Sequence, residues 1–327
     1  MTEYTLSVAR DLHDRSRALD WLTALFPVAL MALFNYHWSV VLLVLPAMAG
    51  YLAVAALLQR AGLLQAPALP ALVTGLLIAF CLPAGAPLWL PGLAGVAAAL
   101  TAALPELLSR RWAGRSFAQP LLQPALVGYV LVWLLFSGFL REFTMPAQWA
   151  TVDAATASTA LAGLWDPTRA VPLGRLFFGL YAGAVGEICS PVLLLAAAYL
   201  LLRRRLRLIA PAAMLAVIAL LSWVLWGAPL YALLAGGTLL TALLLADRAV
   251  APAHPGAQAV AGVIAGGVTV LLRVATHTDG TAVGVLVACA LSPLYPVLGC
   301  WIARFSRWVW TLAKEIFIKI KKIEKNS

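Results

Sequence analysis

The sequence predicts an all-α, polytopic membrane protein of about ten transmembrane helices with both termini in the cytoplasm. Apolar residues make up 63% of the 327 positions and charged residues only 11%, and the mean hydropathy is +0.93. These values lie far outside the range of soluble globular proteins. Apolar runs long enough to cross a bilayer recur along the chain, and the positive charges are concentrated in alternate loops.

Ten segments approach the ~20 apolar residues that a membrane-spanning helix needs. The predicted spans run from Ala18 to Tyr36, Trp38 to Leu58, Pro67 to Pro83, Leu88 to Leu104, Leu121 to Leu140, Leu176 to Leu202, Leu208 to Trp226, Pro229 to Ala246, Gln258 to Leu272, and Thr281 to Trp301. Several are short, which favours tilted or broken helices whose freed backbone groups are satisfied by neighbouring protein. They form one membrane domain, residues 18–301, between a cytoplasmic segment, residues 1–17, and a basic amphipathic cytoplasmic tail, residues 302–327.

The distribution of positive charge predicts the orientation. A cytoplasmic N-terminus places 19 of the 23 Lys and Arg residues on the cytoplasmic side and four, Arg141, Arg169, Arg175 and Arg273, on the other. The loop 141–175 is then external. This asymmetry explains the net charge of +10 without a nucleic-acid partner, because a nucleic-acid surface would sit on a soluble domain. The basic tail is expected to lie on anionic lipids of the inner leaflet.

Two carboxylates fall inside predicted spans, where ionisable groups are costly and usually functional. Asp20 begins the first span and either pairs with Arg17 at the headgroup level or belongs to an ion pathway. Glu187 lies in the sixth span after glycines that permit a broken helix. It either takes part in a cation or proton pathway or bonds to a neighbouring helix.

Small residues and cysteines in the spans predict packing rather than chemistry. Glycines four residues apart, Gly179 with Gly183 and Gly262 with Gly266, predict close helix approach. The four Cys residues are isolated within apolar runs and have no metal or disulfide spacing. We interpret them as small apolar fillers.

Several short motifs follow one another in the order found in a known family. They are Thr74-Gly75-Leu76-Leu77, then Leu82-Pro83 and Ala86-Pro87-Leu88-Trp89, then Gln123-Pro124-Ala125-Leu126-Val127-Gly128-Tyr129, then Gly183-Ala184-Val185-Gly186-Glu187, then Gly236-Gly237-Thr238 leading to Asp247, and Asp279-Gly280 with Pro293-Leu294. From Arg15 to Trp301 the chain resembles the membrane subunit shared by two bacterial redox pumps, the RnfD protein of the Rnf complex and the NqrB protein of the sodium-pumping NADH:quinone oxidoreductase. The match is closer to the Rnf protein, although Gln123 stands where the family has Asn.

In that family, a Ser-Gly-Ala-Thr motif in the external loop carries FMN through a phosphoester bond to the Thr. The corresponding residues here are Thr156-Ala157-Ser158-Thr159, preceded by Asp153. The resemblance therefore implies FMN on Thr159, with Thr156 and Asp153 as neighbouring cofactor-binding candidates. Ala157 replaces the glycine and reduces the backbone freedom of the segment that a flavin transferase must bind, and Ala160 replaces a proline. The alternative is an ordinary loop without flavin.

The resemblance implies a subunit of an ion-translocating electron transport complex in the bacterial inner membrane, a ferredoxin:NAD oxidoreductase that moves Na+ or H+ outward. The flavin would relay electrons, and the family also holds a riboflavin noncovalently, which this sequence does not locate. The implied partners are the other subunits of an Rnf-like complex, which would carry the NAD, ferredoxin and iron–sulfur sites, and a flavin transferase. No catalytic residue or metal site is assigned to this chain.

Two other interpretations stay open. A divergent member of the same fold would pass electrons to extracytoplasmic acceptors without pumping ions. A flavin-free transporter would use Glu187 and broken helices as a solute site near the middle of the membrane.

Overall fold

The computed structural model describes residues 3–60, 68–111, 122–140, 143–144, 156–157, 160–187 and 190–295. Over these ranges the fold is α-helical, as the sequence predicts. The helices are α1 Glu3–Tyr36, α2 Ser39–Arg60, α3 Ala68–Cys81, α4 Trp89–Arg111, α5 Pro124–Phe136, α6 Leu173–Phe178, α7 Ser190–Leu202, α8 Ile209–Trp226, α9 Pro229–Leu234, α10 Thr238–Ala246, α11 Pro255–Thr276 and α12 Thr281–Ala290. Thr159, Asp153 and the tail at 302–327 lie outside the described residues.

Shorter elements connect these helices. The 3-10 helices are Ser137–Leu140, Ala160–Leu164, Pro167–Arg169 and Ser292–Leu294, and two short strands, β1 Phe143–Thr144 and β2 Thr156–Ala157, pair antiparallel. The predicted external loop at 141–175 thus contains local structure, and α6 begins inside it at Leu173.

The helices are those of a multi-pass membrane protein. Within the described ranges, four are long and apolar enough to cross a membrane: Arg15–Tyr36, Ser39–Arg60, Ile209–Trp226 and Pro255–Thr276. The apolar parts of α3, α4, α5, α7 and α12 are shorter. Large apolar side chains such as Leu202, Trp38 and Val224 are exposed on the outside of the bundle, where lipid can cover them. The number of spans, ten, stays a prediction.

The two halves of the chain repeat the same helix pairing. In the first half α4 packs on α2 and α5, and in the second half α11 packs on α8 and α12. Glycines permit the close approach in both halves, since a Cβ on Gly95 would overlap the backbone of Ala47 in α2, and one on Gly262 would overlap that of Ala210 in α8. The predicted packing role of Gly262 and Gly266 is therefore confirmed.

The sixth predicted span is a broken helix, as its glycines permit. Gly179 ends α6 with a φ of +81°, a conformation that suits glycine, and α7 begins only at Ser190. The prediction that Gly179 packs within a helix, four residues before Gly183, was wrong.

Neighbouring backbone supplies hydrogen-bond partners to the broken segment between α6 and α7. The amide of Val185 donates to the carbonyl of Leu82 at 3.0 Å, and the amide of Gly186 donates to that of Phe80 at 2.9 Å. A Cβ on Gly186 would overlap Phe80, so glycine is required for this contact. These bonds allow non-helical backbone inside the bundle, because buried amides and carbonyls need partners.

The eighth predicted span is broken as well. Helix α9 ends at Leu234 and α10 begins at Thr238, and Gly236 lies between them with a φ of +71°. The two breaks and the start of α12 face one another inside the protein and bring the charged residues of the candidate site together.

Candidate functional site

Two carboxylates and one guanidinium meet at these helix ends. Glu187 lies in the break between α6 and α7, Asp279 comes just before α12, and Arg273 lies in the last turn of α11. We call these three residues the interior cluster. Glu187 comes from one connection, whereas Arg273 and Asp279 come from the end of α11 and the turn that follows it, so the cluster exists only in the folded protein.

Arg273 is the anchor of the interior cluster and is fully buried, with 0% exposure. Its Nη1 donates to the carbonyl of Ala232 at 2.9 Å, and its Nη2 donates to the carbonyl of Ala235 at 3.4 Å and to Oγ1 of Thr238 at 2.8 Å. The same Nη2 forms a 2.7 Å ion pair with Oδ1 of Asp279, and Nε donates to the Asp279 carbonyl at 3.2 Å. The guanidinium therefore satisfies carbonyls left free where α9 ends and is paired with a carboxylate, as burial of a charge requires.

Asp279 connects the break at 235–237 to α12. Its Oδ2 accepts the amide of Gly237, next to the start of α10, at 3.1 Å and the hydroxyl of Thr281 at 2.5 Å. The carboxylate thus lies near the N-terminal ends of two helices, where the backbone dipoles favour negative charge. The side chain keeps 30% of its surface exposed.

Glu187 approaches Asp279 across Gly237. A Cβ on Gly237 would overlap Oε1 of Glu187 and would come within 3.2 Å of Oδ2 of Asp279. The break that carries Glu187 is held by tyrosines, since the hydroxyl of Tyr181 donates to the Glu187 carbonyl at 3.2 Å and that of Tyr36 donates to the carbonyl of Gly183 at 3.3 Å. Glycine is therefore the residue that lets the two carboxylates converge.

The interior cluster has the composition of a site for a hard cation or a proton. Two carboxylates face one guanidinium, which leaves an excess of one negative charge when both are ionised. Carboxylate and carbonyl oxygens are the ligands that hard cations prefer. Among the described residues, no group of three or more His, Cys, Asp and Glu side chains comes together, so a cation here would draw further ligands from carbonyls, hydroxyls or water.

A second charged group, which we call the peripheral cluster, lies where the middle of α1 meets the residues that follow α7 and α10. Asp20 accepts from Nε of Arg203 at 2.9 Å and from Nε of Arg205 at 2.6 Å, and Arg17 pairs with Asp247 at 2.5 Å. The predicted pair of Asp20 with Arg17 was wrong, because Asp20 turns to the loop after α7. The hydrogen bond that Arg203 donates to Asp20 raises the pKa of Arg203.

Residues predicted on one side of the membrane do meet at one end of the bundle. The loop after α7 pairs with the turn after α10, where the amide of Arg207 donates to Ala246 at 2.7 Å and that of Arg248 donates to Arg205 at 3.1 Å. All these segments were predicted to be cytoplasmic. Which end of the bundle faces the cytoplasm stays a prediction.

The described residues around the predicted flavin motif form local structure that contacts α9. In the pair of strands, Thr144 lies opposite Thr156, and the 3-10 helix Ala160–Leu164 begins one residue after Thr159 in the sequence. The hydroxyl of Tyr231 in α9 donates to the Ala160 carbonyl at 2.5 Å and accepts the amide of Val171 at 3.2 Å. Helix α9 therefore contacts the segment after Thr159 through Tyr231 and the interior cluster through its last carbonyls.

Sequence reasoning missed two of the three interior residues. Arg273 was counted among the external positive charges, yet it is buried in α11, and Asp279 was noted only as part of a motif. The available signal was an Arg at the end of an apolar helix followed six residues later by an Asp, because a buried guanidinium needs a nearby carboxylate. Cys81 and Cys289 are buried, as expected of apolar fillers.

Comparison with known proteins agrees with the motifs. The family described as "NQR2, RnfD, RnfE family" matches residues 8–297. The D component of the Na(+)-translocating ferredoxin:NAD(+) oxidoreductase complex of Acetobacterium woodii is 26% identical over 310 residues, which cover 90% of this chain and 93% of that protein. The D component of the ion-translocating oxidoreductase complex of Ectopseudomonas mendocina is 28% identical over 200 residues, which cover 54% of this chain and 56% of that protein.

Proposed function

This chain belongs to the NQR2, RnfD, RnfE family, and we propose that it is the RnfD-type membrane subunit of an ion-translocating electron transport complex. The observation that carries the proposal is the family match over residues 8–297. The names of both relatives, each the D component of an ion-translocating oxidoreductase complex, support it. The proposed partners are the other subunits of that complex, and the proposed location is the bacterial inner membrane.

The interior cluster is the proposed binding site for the translocated Na+ or H+. Glu187 and Asp279 supply the charge, and Arg273 fixes the helix ends that hold them. Asp20 is not part of this site, because both oxygens of its carboxylate already accept hydrogen bonds from Arg203 and Arg205. Ionisable residues paired inside a membrane protein commonly mark ion or proton routes.

The proposed flavin is an FMN joined to Thr159, which would supply a redox couple at the external face. The described neighbours fit an attachment segment, because the pair of strands precedes Thr159 and Tyr231 anchors the residue that follows it. Ala157 in place of the family's glycine has its backbone in β2, a conformation that alanine adopts freely. This substitution is therefore compatible with the folded loop.

The test of the flavin proposal is fluorescence of the denatured protein in a gel after co-expression with a flavin transferase. We expect a fluorescent band for the wild type and a dark band for Thr159→Ala. A dark wild-type band, with the transferase active on a control substrate, would contradict covalent attachment.

The test of the ion proposal is Glu187→Gln, which keeps the size of the side chain and removes its charge. In inverted vesicles that contain the whole complex, we expect electron-transfer-driven ion uptake to be abolished. Asp166→Asn is the control, since Asp166 is a partly exposed carboxylate outside the bundle core. Wild-type uptake in Glu187→Gln would remove Glu187 from the ion route.

A flavin-free transporter is the second candidate, because two broken helices meet at a charged site, an arrangement also found in secondary transporters. In proteoliposomes that contain only this chain, solute or ion flux without an electron donor would favour the transporter. A divergent electron-transfer protein that does not pump would instead show a covalent flavin together with electron transfer that does not depend on sodium or protons.

A further inference from the structure

An aromatic pocket lies next to the end of the 3-10 helix Ala160–Leu164. It has a volume of about 160 Å³ and is lined by Trp165, Leu225, Trp226, Val274 and His277. The Trp165 ring meets Trp226 at a centroid distance of 6.4 Å and His277 at 5.1 Å, both nearly perpendicular. Three aromatic rings from three separate segments therefore wall an open, mostly apolar pocket.

The pocket lies at the far end of the 3-10 helix that begins directly after Thr159 in the sequence. Trp226 is the last residue of α8 and His277 caps α11, so both belong to the end of the bundle predicted to be external. Trp165 follows the 3-10 helix Ala160–Leu164 directly. At a rise of about 2 Å per residue, this helix spans only about 10 Å. A group attached through a flexible ribityl phosphate one residue before that helix can cover this distance.

The size of the pocket fits part of a flavin. A closed apolar cavity of about 150 Å³ holds one benzene ring, so this pocket holds one ring of the three-ring isoalloxazine and leaves the other two along its open side. Perpendicular aromatic contacts of the kind already present between Trp165 and Trp226 are a favourable geometry for a further ring.

We infer that the pocket formed by Trp165, Trp226 and His277 is the docking site for the isoalloxazine ring of the flavin carried by Thr159. This inference rests on the proposed function, because it needs the covalent flavin. Trp165 and Trp226 are positioning residues that hold the ring against the bundle end. Tyr231 keeps the start of the 3-10 helix in place through the Ala160 carbonyl.

The test compares Trp165→Phe and Trp226→Phe with a matched control, Trp89→Phe. Trp89 also makes perpendicular contacts with two aromatic rings, at 4.9 and 5.9 Å, but in a different part of the bundle. The full chain is co-expressed with a flavin transferase and purified in detergent. Two quantities are measured for each variant, the flavin fluorescence of the denatured band, which reports attachment, and the flavin fluorescence of the native protein, which indole rings in contact with a flavin quench.

We expect equal loading in all variants, with native fluorescence several-fold above wild type in Trp165→Phe and Trp226→Phe and unchanged in Trp89→Phe. Equal loading with no rise in either pocket variant would overturn the docking site and leave the proposed flavin intact. A dark denatured wild-type band would overturn both. Each single variant is checked for a monodisperse profile, and Trp226→Phe carries the test if Trp165→Phe misfolds.

Discussion

The interior and peripheral clusters both place charged side chains in an apolar protein, but they bury opposite members of the ion pair. In the interior cluster a fully buried Arg273 faces two carboxylates and directs most of its donors to backbone carbonyls. In the peripheral cluster the carboxylates are the buried members, with Asp20 and Asp247 at 5% and 3% side-chain exposure. Their arginine partners reach toward the surface, where Arg203 is 55% exposed.

The two clusters also differ in their numbers of positive and negative groups. The interior cluster has one guanidinium for two carboxyl groups, which fits the cation or proton that we propose binds there. The peripheral cluster has three arginines for two aspartates, and water and lipid headgroups can neutralise the excess. Ionisable residues inside a membrane protein commonly mark ion or proton routes, and this is why we propose the interior cluster rather than the peripheral cluster as the ion site.

Replacing Arg273 by methionine should give the largest effect. The variant removes the ion pair with Asp279 and the donors to the Ala232 and Ala235 carbonyls. Breaking one partner of a buried ion pair costs about 3–5 kcal/mol. We expect a large drop in the thermal midpoint in detergent, or loss of folded protein.

Arg203→Met is the matched control for Arg273→Met. It breaks an ion pair of the peripheral cluster whose arginine is mostly exposed, and such pairs contribute about 1 kcal/mol or less. Asp20 also keeps Arg205 as a partner. Equal loss of stability in both variants would mean that the two clusters do not differ as described.

Gly237→Ala should give the second largest effect, and it acts on the interior cluster by shape alone. The φ of Gly237 is −73°, which alanine adopts, so the penalty comes from the overlap of its Cβ with Glu187 and from the approach to Asp279. Forcing an extra methyl group into a packed site costs about 1–3 kcal/mol. We expect a large fall in ion uptake by the complex and only a small fall in its thermal midpoint.

Gly267→Ala is the control, because a Cβ at Gly267 in α11 meets nothing within 4 Å. An alanine inside a helix is favoured over glycine by about 0.5–1 kcal/mol. The control should therefore be neutral or stabilising, with unchanged ion uptake. A similar loss of uptake in both variants would show that the clash with the carboxylates is not the cause.

Much of the fold could be predicted from the sequence. The apolar runs predict the helices because lipid leaves few alternatives to a helix. The break at Glu187 could be predicted as well, because glycines precede a carboxylate inside an apolar run. The Gly262 and Gly266 spacing predicted a close helix approach, which the structure shows with α8, whereas the same spacing at Gly179 did not produce one, since that glycine ends a helix.

The interior cluster could not be assembled from the sequence. Asp279 is 92 residues from Glu187 along the chain by the numbering, and only the fold brings α12 beside the break after α6. Arg273 was predicted to be a loop residue because it ends an apolar run. In the fold it is buried, because the carbonyls where α9 ends accept its hydrogen bonds. The attraction of a guanidinium to free carbonyls depends on a helix break at 235–237 that composition does not reveal.

A double-mutant cycle on Asp20 and Arg205 should give a smaller effect. Both side chains are partly or largely buried, at 5% and 18% exposure, so we expect a coupling energy of about 1–2 kcal/mol, between typical exposed and buried pairs. The cycle uses Asp20→Asn, Arg205→Met and the double variant, measured by thermal unfolding in detergent. The exposed pair of Asp166 and Arg169, at 43% and 63% exposure, serves as control and should show almost no coupling.

The smallest expected effect is a pH dependence of the turn at Asp166, outside both clusters. Bonds from the hydroxyl and amide of Thr168, and then the charge of Arg169, lower the pKa of Asp166 below its ordinary value of 3.8. A carboxylate whose pKa is lower in the folded state stabilises the turn above that ordinary value and loses this contribution as the pH falls through the lowered pKa. In the wild type, the protection of the Thr168 amide against hydrogen exchange, relative to an unfolded amide at the same pH, should therefore fall on acidification.

The control for this prediction is Asp166→Asn, in which the dependence should disappear because the asparagine does not titrate. If acid left the Thr168 amide protected in both proteins, hydrogen bonding without charge would hold the turn. Ionised carboxylates would then stabilise the fold only where arginines bind them inside the protein. That outcome would sharpen the contrast between the exposed turn and the interior cluster.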